Sequence, residues 1–532
     1  MNKLDKQTES PKKFIIFGII SIIIIGITMR FFYFPFGVPL SLDSISYFSY
    51  AIDIAQTGKF PVKYDLVNNG WSTFLSPFFT FLKFDSFMEY MDTQRIVSII
   101  ISCLTIIPLY FLSRKFFSKI LSLFATALFI FEPRVISNSL YGITEPLYIL
   151  LGTLSLVLFF SEKKWIYFSF LSLALLSIIR YEGLLFLIPL SIMFFVKFRR
   201  EKKKIIKYIF CISIFILVLL PMGIIRNETM GTDGFISHYI ATDQGSVLTV
   251  INQNVIQGLP DDDLFPGEEG KNRLLEFILT GISKIITNLG FIQIPIYIFC
   301  VPLGIFFILR NKKFKKMNYK HITLILFFIF GLLPILYAHG RFISDLRYYL
   351  ILYPIIILIA TYGIERLQIK INLKKMLIPL IFGIIILSVG FLEITKIDIQ
   401  LEREAFEITN KAISLSTVIN GDSLHGNYIT TAGIVEDWPE IKKPIDVKQK
   451  KVSPVEYNNL NEFIDDNKKN GLDHLVVDNR GNGPKYIQEI FSNEEKYTYL
   501  EKVFDSEKIG YDYHVKIFEI NFVVYEEMIK RK

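Results

Sequence analysis

Cysteine is scarce in this chain of 532 residues: Cys103, Cys211 and Cys300 are the only three, and all lie in apolar segments. None falls in the polar C-terminal part, so no disulfide framework or thiolate metal site is available there. No C-x-x-C or H-x-x-H spacing occurs, and neither a G-x-x-x-x-G-K-[ST] phosphate loop nor a dinucleotide fingerprint after a strand is present. Nothing therefore supports a pump with its own nucleotide domain. Acids are nearly absent from the interiors of the long apolar blocks, where a proton or ion path needs them, and transport loses ground. The net charge of +8 is not laid along one face but sits in short loops between apolar blocks, which excludes a nucleic-acid surface.

What is present is hydrocarbon. Half of the residues are apolar, and the first 395 come in long blocks rich in Ile, Leu and Phe. Blocks of about 17 to 21 residues match roughly 30 Å of bilayer core at 1.5 Å per residue. The first, Phe14 to Phe34, follows a short basic N-terminus, is long for a signal-peptide core and precedes no A-x-A-like site, so it reads as a retained helix. The pattern predicts spans near 14–34, 93–112, 119–132, 145–161, 164–179, 184–197, 205–224, 288–309, 321–337, 348–364 and 375–394. The fold class expected is a polytopic α-helical membrane protein with about eleven transmembrane helices. Residues 1–394 form the membrane domain and 395–532 a soluble mixed α/β domain.

Loop charges orient the chain. With the N-terminus inside, Lys12/Lys13, Arg114/Lys115, Lys163/Lys164, "KFRREKKK" from Lys197, "RNKKFKK" from Arg310 and the stretch Arg366 to Lys375 all fall on the cytoplasmic side. The alternate segments 35–92, 133–144, 180–183, 225–287 and 338–347 are poor in Lys and Arg, and an odd span count puts 395–532 outside. In the first outside segment Ile45, Phe48, Ile52 and Ala55 share a helical face ending at Gly58, as in a helix on the membrane surface. "GWSTFLSPFFTFL" from Gly70, broken by Pro77, reads as a half-inserted element, and "LLEFILTGISKIITNL" as a stretch docked on the bilayer. In the C-terminal domain "VEYNNLNEFIDDNKKNG" predicts a helix ending at Gly471, and "LDHLVVD" and "YHVKIFEINFVVY" predict strands.

Ionisable groups where helices meet the outer face are the candidates for chemistry. Asp43 is either a general base or the cap of the helix that begins at Ser44. Glu145 enters the fourth span with Pro146 in its first turn, favoured there by the helix dipole; alternatively it faces Asp43 and holds an acceptor or a divalent cation, Mg or Mn. Arg180 and Glu182 in "IIRYEGLLFL" either pair with each other or offer Arg180 to a lipid phosphate. "YAHGRFISDLRYYLILYP" gathers His339, Arg341, Asp345, Arg347 and Tyr348, and two arginines on the side that ordinarily lacks them suit phosphate. The acidic run "LPDDDLFPGEEG" from Leu259 lacks EF-hand ligand spacing and reads as a solvated loop. Asn227-Glu228-Thr229 matches an N-glycosylation acceptor in an outside loop.

In order and in side, the strings "SLDSISYF", "GITEPLY", "IIRYEGLLFLIP" and "RYYLILYP", followed by a soluble domain, make the chain resemble the C-type (GT-C) superfamily of membrane glycosyltransferases, especially relatives of protein O-mannosyltransferases and lipid A aminoarabinose transferases. The resemblance implies a GT-C-like fold and transfer of a mannose-like sugar from a polyprenyl or dolichyl phosphate to a protein or glycolipid acceptor at the outer face, with inversion. It implies that Asp43 is the base, with Glu145 a second catalytic acid, and that Arg347, Arg341 and Arg180 with Tyr348 bind the lipid phosphate. His339 and Glu182 would line the acceptor side. A single acid at 43, where some relatives carry a pair, weakens a metal assignment, and the absence of W-W-D-Y-G disfavours en bloc transfer to asparagine. The expected location is a prokaryotic cell membrane, with the endoplasmic reticulum as the alternative. The competing classes are a transporter or lipid flippase, which needs polar groups deep in the spans, and a non-catalytic scaffold, which tolerates any residue at Asp43.

Overall fold

A computed structural model describes residues 12–41, 43–64, 66, 68–84, 86–237, 273–310, 318–340, 343–368, 377–416, 418–420, 428, 451–455, 457–480 and 483–531. The chain divides into two compact units, one of 1–34, 60–75 and 95–395, the other of 35–59, 76–94 and 396–532.

The first unit is helical. Its apolar blocks form α1 (Lys12–Phe32), α4 (Phe87–Leu104, begun in the other unit), α5 (Ile106–Ser113), α6 (Lys119–Ile130), α7 (Pro133–Leu140), α8 (Glu145–Phe160), α9 (Ile166–Ile179), α10 (Leu187–Lys197), α11 (Lys204–Met230), α12 (Arg273–Phe291), α13 (Cys300–Arg310), α14 (Tyr319–Gly340), α15 (Tyr353–Gln368) and α16 (Leu377–Thr395). Among the described residues six helical stretches are long and apolar enough to cross a bilayer, or seven if α6 and α7, bent by 52°, are one broken span. The chain is an integral membrane protein. The count of eleven full spans is not confirmed, because α8, α9, α13 and the apolar part of α12 hold 10–17 residues and at about 1.5 Å per residue fall short of the hydrocarbon thickness.

Two departures have local causes. The segment after Ile130, expected to be an outside loop, turns at Glu132 (φ −68°, ψ 121°) and restarts as α7 with Pro133 in its first turn, where a missing N–H costs nothing. The span expected over 288–309 is interrupted: α12 ends at Phe291 and α13 begins at Cys300, with Pro295 between them. Arg134 of α7 donates to the Phe291 carbonyl at 3.1 Å and also to Ile294, supplying partners to carbonyls at that helix end. The Asn227-Glu228-Thr229 pattern is not in a loop: it belongs to the last turns of α11, where the Thr229 hydroxyl donates to the Ile225 carbonyl at 2.7 Å.

Where α13 meets α15 the backbones approach closely. A Cβ on Gly304 would lie 2.1 Å from the Ile359 oxygen, and one on Gly363 2.6 Å from the Cys300 oxygen. Gly304→Val should therefore lower thermal stability in detergent by about 1–3 kcal/mol or more. Gly383→Ala, with nothing within 4 Å of the added carbon, should leave the unfolding temperature unchanged. Equal behaviour of the two variants would refute the close packing.

The second unit holds α2 (Asp43–Thr57), α17 (Ile399–Leu415), α18 (Leu460–Lys468), α19 (Lys485–Ser492), α20 (Phe522–Arg531) and a sheet of β1 (Val418–Asn420), β2 (Lys451–Val452), β3 (Leu472–Asp478), β4 (Leu500–Asp505) and β5 (Val515–Ile520). The strand order is β2-β1-β3-β5-β4, parallel through β3 and antiparallel beyond it. Along β3 the period-two alternation sends Val476 into the core with α17, and Leu475 and Val477 into the core with α18, α19 and α20. α3 (Gly70–Phe81) starts in the first unit, ends in the second and carries Pro77 without a break in its assignment. α2 buries Ile45, Phe48 and Ile52 as the periodicity predicts, while Ala55 is only half-buried. The last expected strand stops early. Asn521 accepts from the Val524 N–H at 3.3 Å, and Phe522, Tyr525 and Met528 then pack at helical spacing as α20.

Candidate functional site

The first unit brings together side chains from three places in the chain. α9 ends at Arg180, whose extended backbone (φ −142°, ψ 126°) leads into a 3₁₀ turn over Tyr181–Phe186. Gly183 permits that tight return, since a Cβ there would sit 2.8 Å from the Ser177 backbone. The turn folds Glu182 back onto Arg180: Nη2 donates to Oε1 at 2.9 Å and Nε to Oε2 at 3.4 Å. On its other side Arg180 Nη1 donates to Glu145 Oε1 at 2.7 Å and to the Thr144 hydroxyl at 3.2 Å. Thr144 in turn lies 3.3 Å from Glu145 Oε2. Arg180, Glu145 and Glu182 are 9%, 5% and 6% exposed.

A second 3₁₀ turn, Leu346–Leu352, supplies the opposite wall. Asp345 starts it by accepting from the Arg347 N–H at 2.8 Å and pairs with Arg347 Nε at 2.5 Å. Tyr348 places its ring 5.5 Å from the Arg180 guanidinium, and Tyr148 of α8 places its own at 5.8 Å. Between these walls is a narrow open cleft lined by Glu145, Tyr148, Arg180, Glu182, Phe186, Arg347 and Tyr348 among others. Of its two arginines Arg347 is the accessible one, its side chain 34% exposed against 11% for Arg180.

Charge decides what each arginine can do. Two buried carboxylates on a single guanidinium compensate it and leave an excess negative charge. Each like-charge contact at 4 Å costs about 4 kcal/mol at an effective dielectric of 20, so a phosphate docking on Arg180 would be repelled by both glutamates. Arg347 pairs with Asp345 and lines the cleft. For Arg180 and Glu182, pairing is the arrangement formed.

The other expected residues are placed as follows. Glu145 and Tyr348 line the cleft with Arg180, Glu182 and Arg347. His339 is buried and is not among the lining residues: Nδ1 donates to the Ile343 carbonyl at 2.9 Å, and Nε2 lies 2.8 Å from the Tyr349 hydroxyl and 3.1 Å from the Asn288 amide. It is thus a buttress of the turn that carries Arg347. Arg341 and the acidic run after Leu259 lie outside the described residues. Asp43 belongs to the second unit, as the exposed first residue of α2. At Glu145, Oε1 accepts from Arg180 and Oε2 lies 3.3 Å from the Thr144 hydroxyl, so the guanidinium supplies this carboxylate's positive partner. Among the described residues no group of three or more His, Cys, Asp or Glu side chains converges.

Three fully buried charges went unnoticed in the sequence. Arg30 of α1 bonds Ser139, Ser102 and the carbonyls of Gly26 and Ile130; Arg226 of α11 bonds Asn69 and the carbonyls of Ile178 and Gly234. Glu132, at the bend between α6 and α7, accepts from Arg134 and Tyr353 at 3.2 Å each. The one available signal was a charge set within, or just before a proline at the end of, an otherwise apolar block.

A family model described as a predicted membrane protein (DUF2079) matches residues 90–259. No curated protein matches. Among solved structures, ArnT from Cupriavidus metallidurans bound to undecaprenyl phosphate superposes with a TM-score of 0.54 at 9% identity, over 96% of this chain and 98% of that one. The Archaeoglobus fulgidus oligosaccharyltransferase tethered to an acceptor peptide containing an NVT sequon gives 0.52 at 11% identity, over 88% and 69%. At these identities the likeness establishes the fold alone: a helical membrane unit with a mixed sheet in the C-terminal region, as in these two proteins.

Proposed function

We propose that the protein is a membrane glycosyltransferase that moves a mannose-like monosaccharide from a polyprenyl phosphate to a hydroxyl-bearing protein or glycolipid acceptor at the outer membrane face. The observation that carries this reading is an open cleft in a GT-C-like fold with an accessible, oriented arginine, Arg347, beside buried carboxylates and two tyrosine rings. Arg347 receives the lipid phosphate, and its planar fork neutralises the charge that gathers on the leaving oxygen. Asp43 takes the acceptor proton. The acceptor oxygen bonds to the anomeric carbon from the face opposite the phosphate, and the electron pair of the breaking C–O bond goes to phosphate, so the configuration inverts.

The test is transfer by purified protein in nanodiscs, with radiolabelled polyprenyl-phosphate sugars as donors and membrane extract as acceptor. Label should pass to the acceptor fraction as polyprenyl phosphate is released. Transfer from none of the donors, by protein of native unfolding temperature, overturns the reading. Arg347→Gln should raise the donor KM about 10- to 100-fold, the worth of a lost hydrogen bond to a charged group; an unchanged KM removes Arg347 from the phosphate site.

A further inference from the structure

We infer that the Glu145–Arg180–Glu182 cluster is the glycosyl subsite of the cleft, built to hold a pyranose ring by its hydroxyl hydrogens and to exclude sugars that carry a carboxylate. The inference rests on the glycosyl-transfer reading and goes further in naming the class of sugar. Each carboxylate oxygen can accept two hydrogen bonds, and among the described residues the glutamate oxygens meet Arg180 or Thr144. Their remaining capacity is for accepting, and both residues line the cleft. Such a wall pairs with groups that donate, the hydroxyls or ammonium of a sugar, and with nothing that only accepts.

The rings of Tyr148 and Tyr348 stand near Arg180 and also line the cleft, giving the apolar C–H face of a pyranose a surface to lie against. Charge supplies the exclusion. Glu145, Glu182 and Asp345 against Arg180 and Arg347 leave one net negative charge among the described groups. The cluster is buried, so that charge is poorly screened and a uronate would meet it at close range. Arg180 acts here as a positioning residue, hydrogen-bonded to both carboxylates at once.

The experiment uses the full chain in nanodiscs and short-chain polyprenyl phosphates linked to mannose, glucosamine or glucuronate, with Kd by calorimetry and transfer in parallel. The mannosyl and glucosaminyl donors should bind at least tenfold more tightly than the glucuronyl donor. Glu182→Gln should shrink that ratio, whereas Arg347→Gln should weaken all three donors equally. A glucuronyl donor that binds as tightly as mannosyl in the wild type overturns the inference, and this comparison needs no variant to fold. If transfer then proceeds from all three alike, the glycosyl-transfer reading survives and only the subsite falls. If no sugar-linked donor binds better than polyprenyl phosphate alone and none is transferred, both fall.

Discussion

Asp43→Asn is expected to lower sugar transfer by about 10²–10⁴-fold, the usual worth of a positioned general base, while leaving the unfolding temperature within a degree or two of wild type. The substitution separates the two roles that position 43 can serve. Asparagine is as good as aspartate at a helix start, and Asp43 is the first residue of α2, so the helix survives the change. What asparagine cannot do is carry away the acceptor proton. Initial rates in nanodiscs with matched thermal unfolding read both properties. Full transfer by Asp43→Asn would confine Asp43 to helix initiation and return the scaffold reading to consideration.

Arg180→Met should be the most destabilising single change in the cleft, costing about 3–5 kcal/mol because it strands two buried carboxylates at once. Met keeps the apolar stem of the side chain and removes the guanidinium together with its contacts to the Tyr148 and Tyr348 rings. Adding Glu145→Gln and Glu182→Gln in the Arg180→Met background should recover a large part of the loss, since neutral amides are far cheaper to bury unpaired. Arg180→Lys should fall between, because a single ammonium cannot bridge Glu145 at 2.7 Å and Glu182 at 2.9 Å with fixed geometry. Thermal denaturation of the set in detergent decides it; if Arg180→Met unfolds with wild type, the three-residue bridge is not formed in the protein.

Much of the fold was readable because a bilayer imposes a simple rule on composition. Apolar runs long enough to span must be helices, since lipid offers no partner to backbone polar groups. β3 was readable for a similar reason, "LDHLVVD" being a buried strand bounded by Gly471 (φ +86°) before it and polar residues after it. The breaks were not readable. At Glu132 and Pro295 the apolar composition continues while the helix does not, and what satisfies the interrupted backbone near Phe291 is Arg134, more than 150 residues away in sequence. The switch from strand to helix at Asn521 falls in a run of β-favouring residues, where the Asn521 side chain accepts from the Val524 N–H and donates to Glu501.

For the candidate site the chain by itself determined which residue types stand at helix ends: Glu145 before its span, Arg180 and Glu182 at a two-helix corner, Arg347 and Tyr348 before another span. Those follow from solvation, because charged groups are tolerated where apolar blocks stop. Tertiary structure alone decided the pairing. It joined Arg180 to Glu145 across 35 residues and set Tyr348 against that guanidinium. It also turned His339 into a buttress and grouped 35–59 and 76–94 with the C-terminal residues. Pairing depends on distance and on the excess of carboxylate over guanidinium in a buried place, quantities that exist only once the helices are packed.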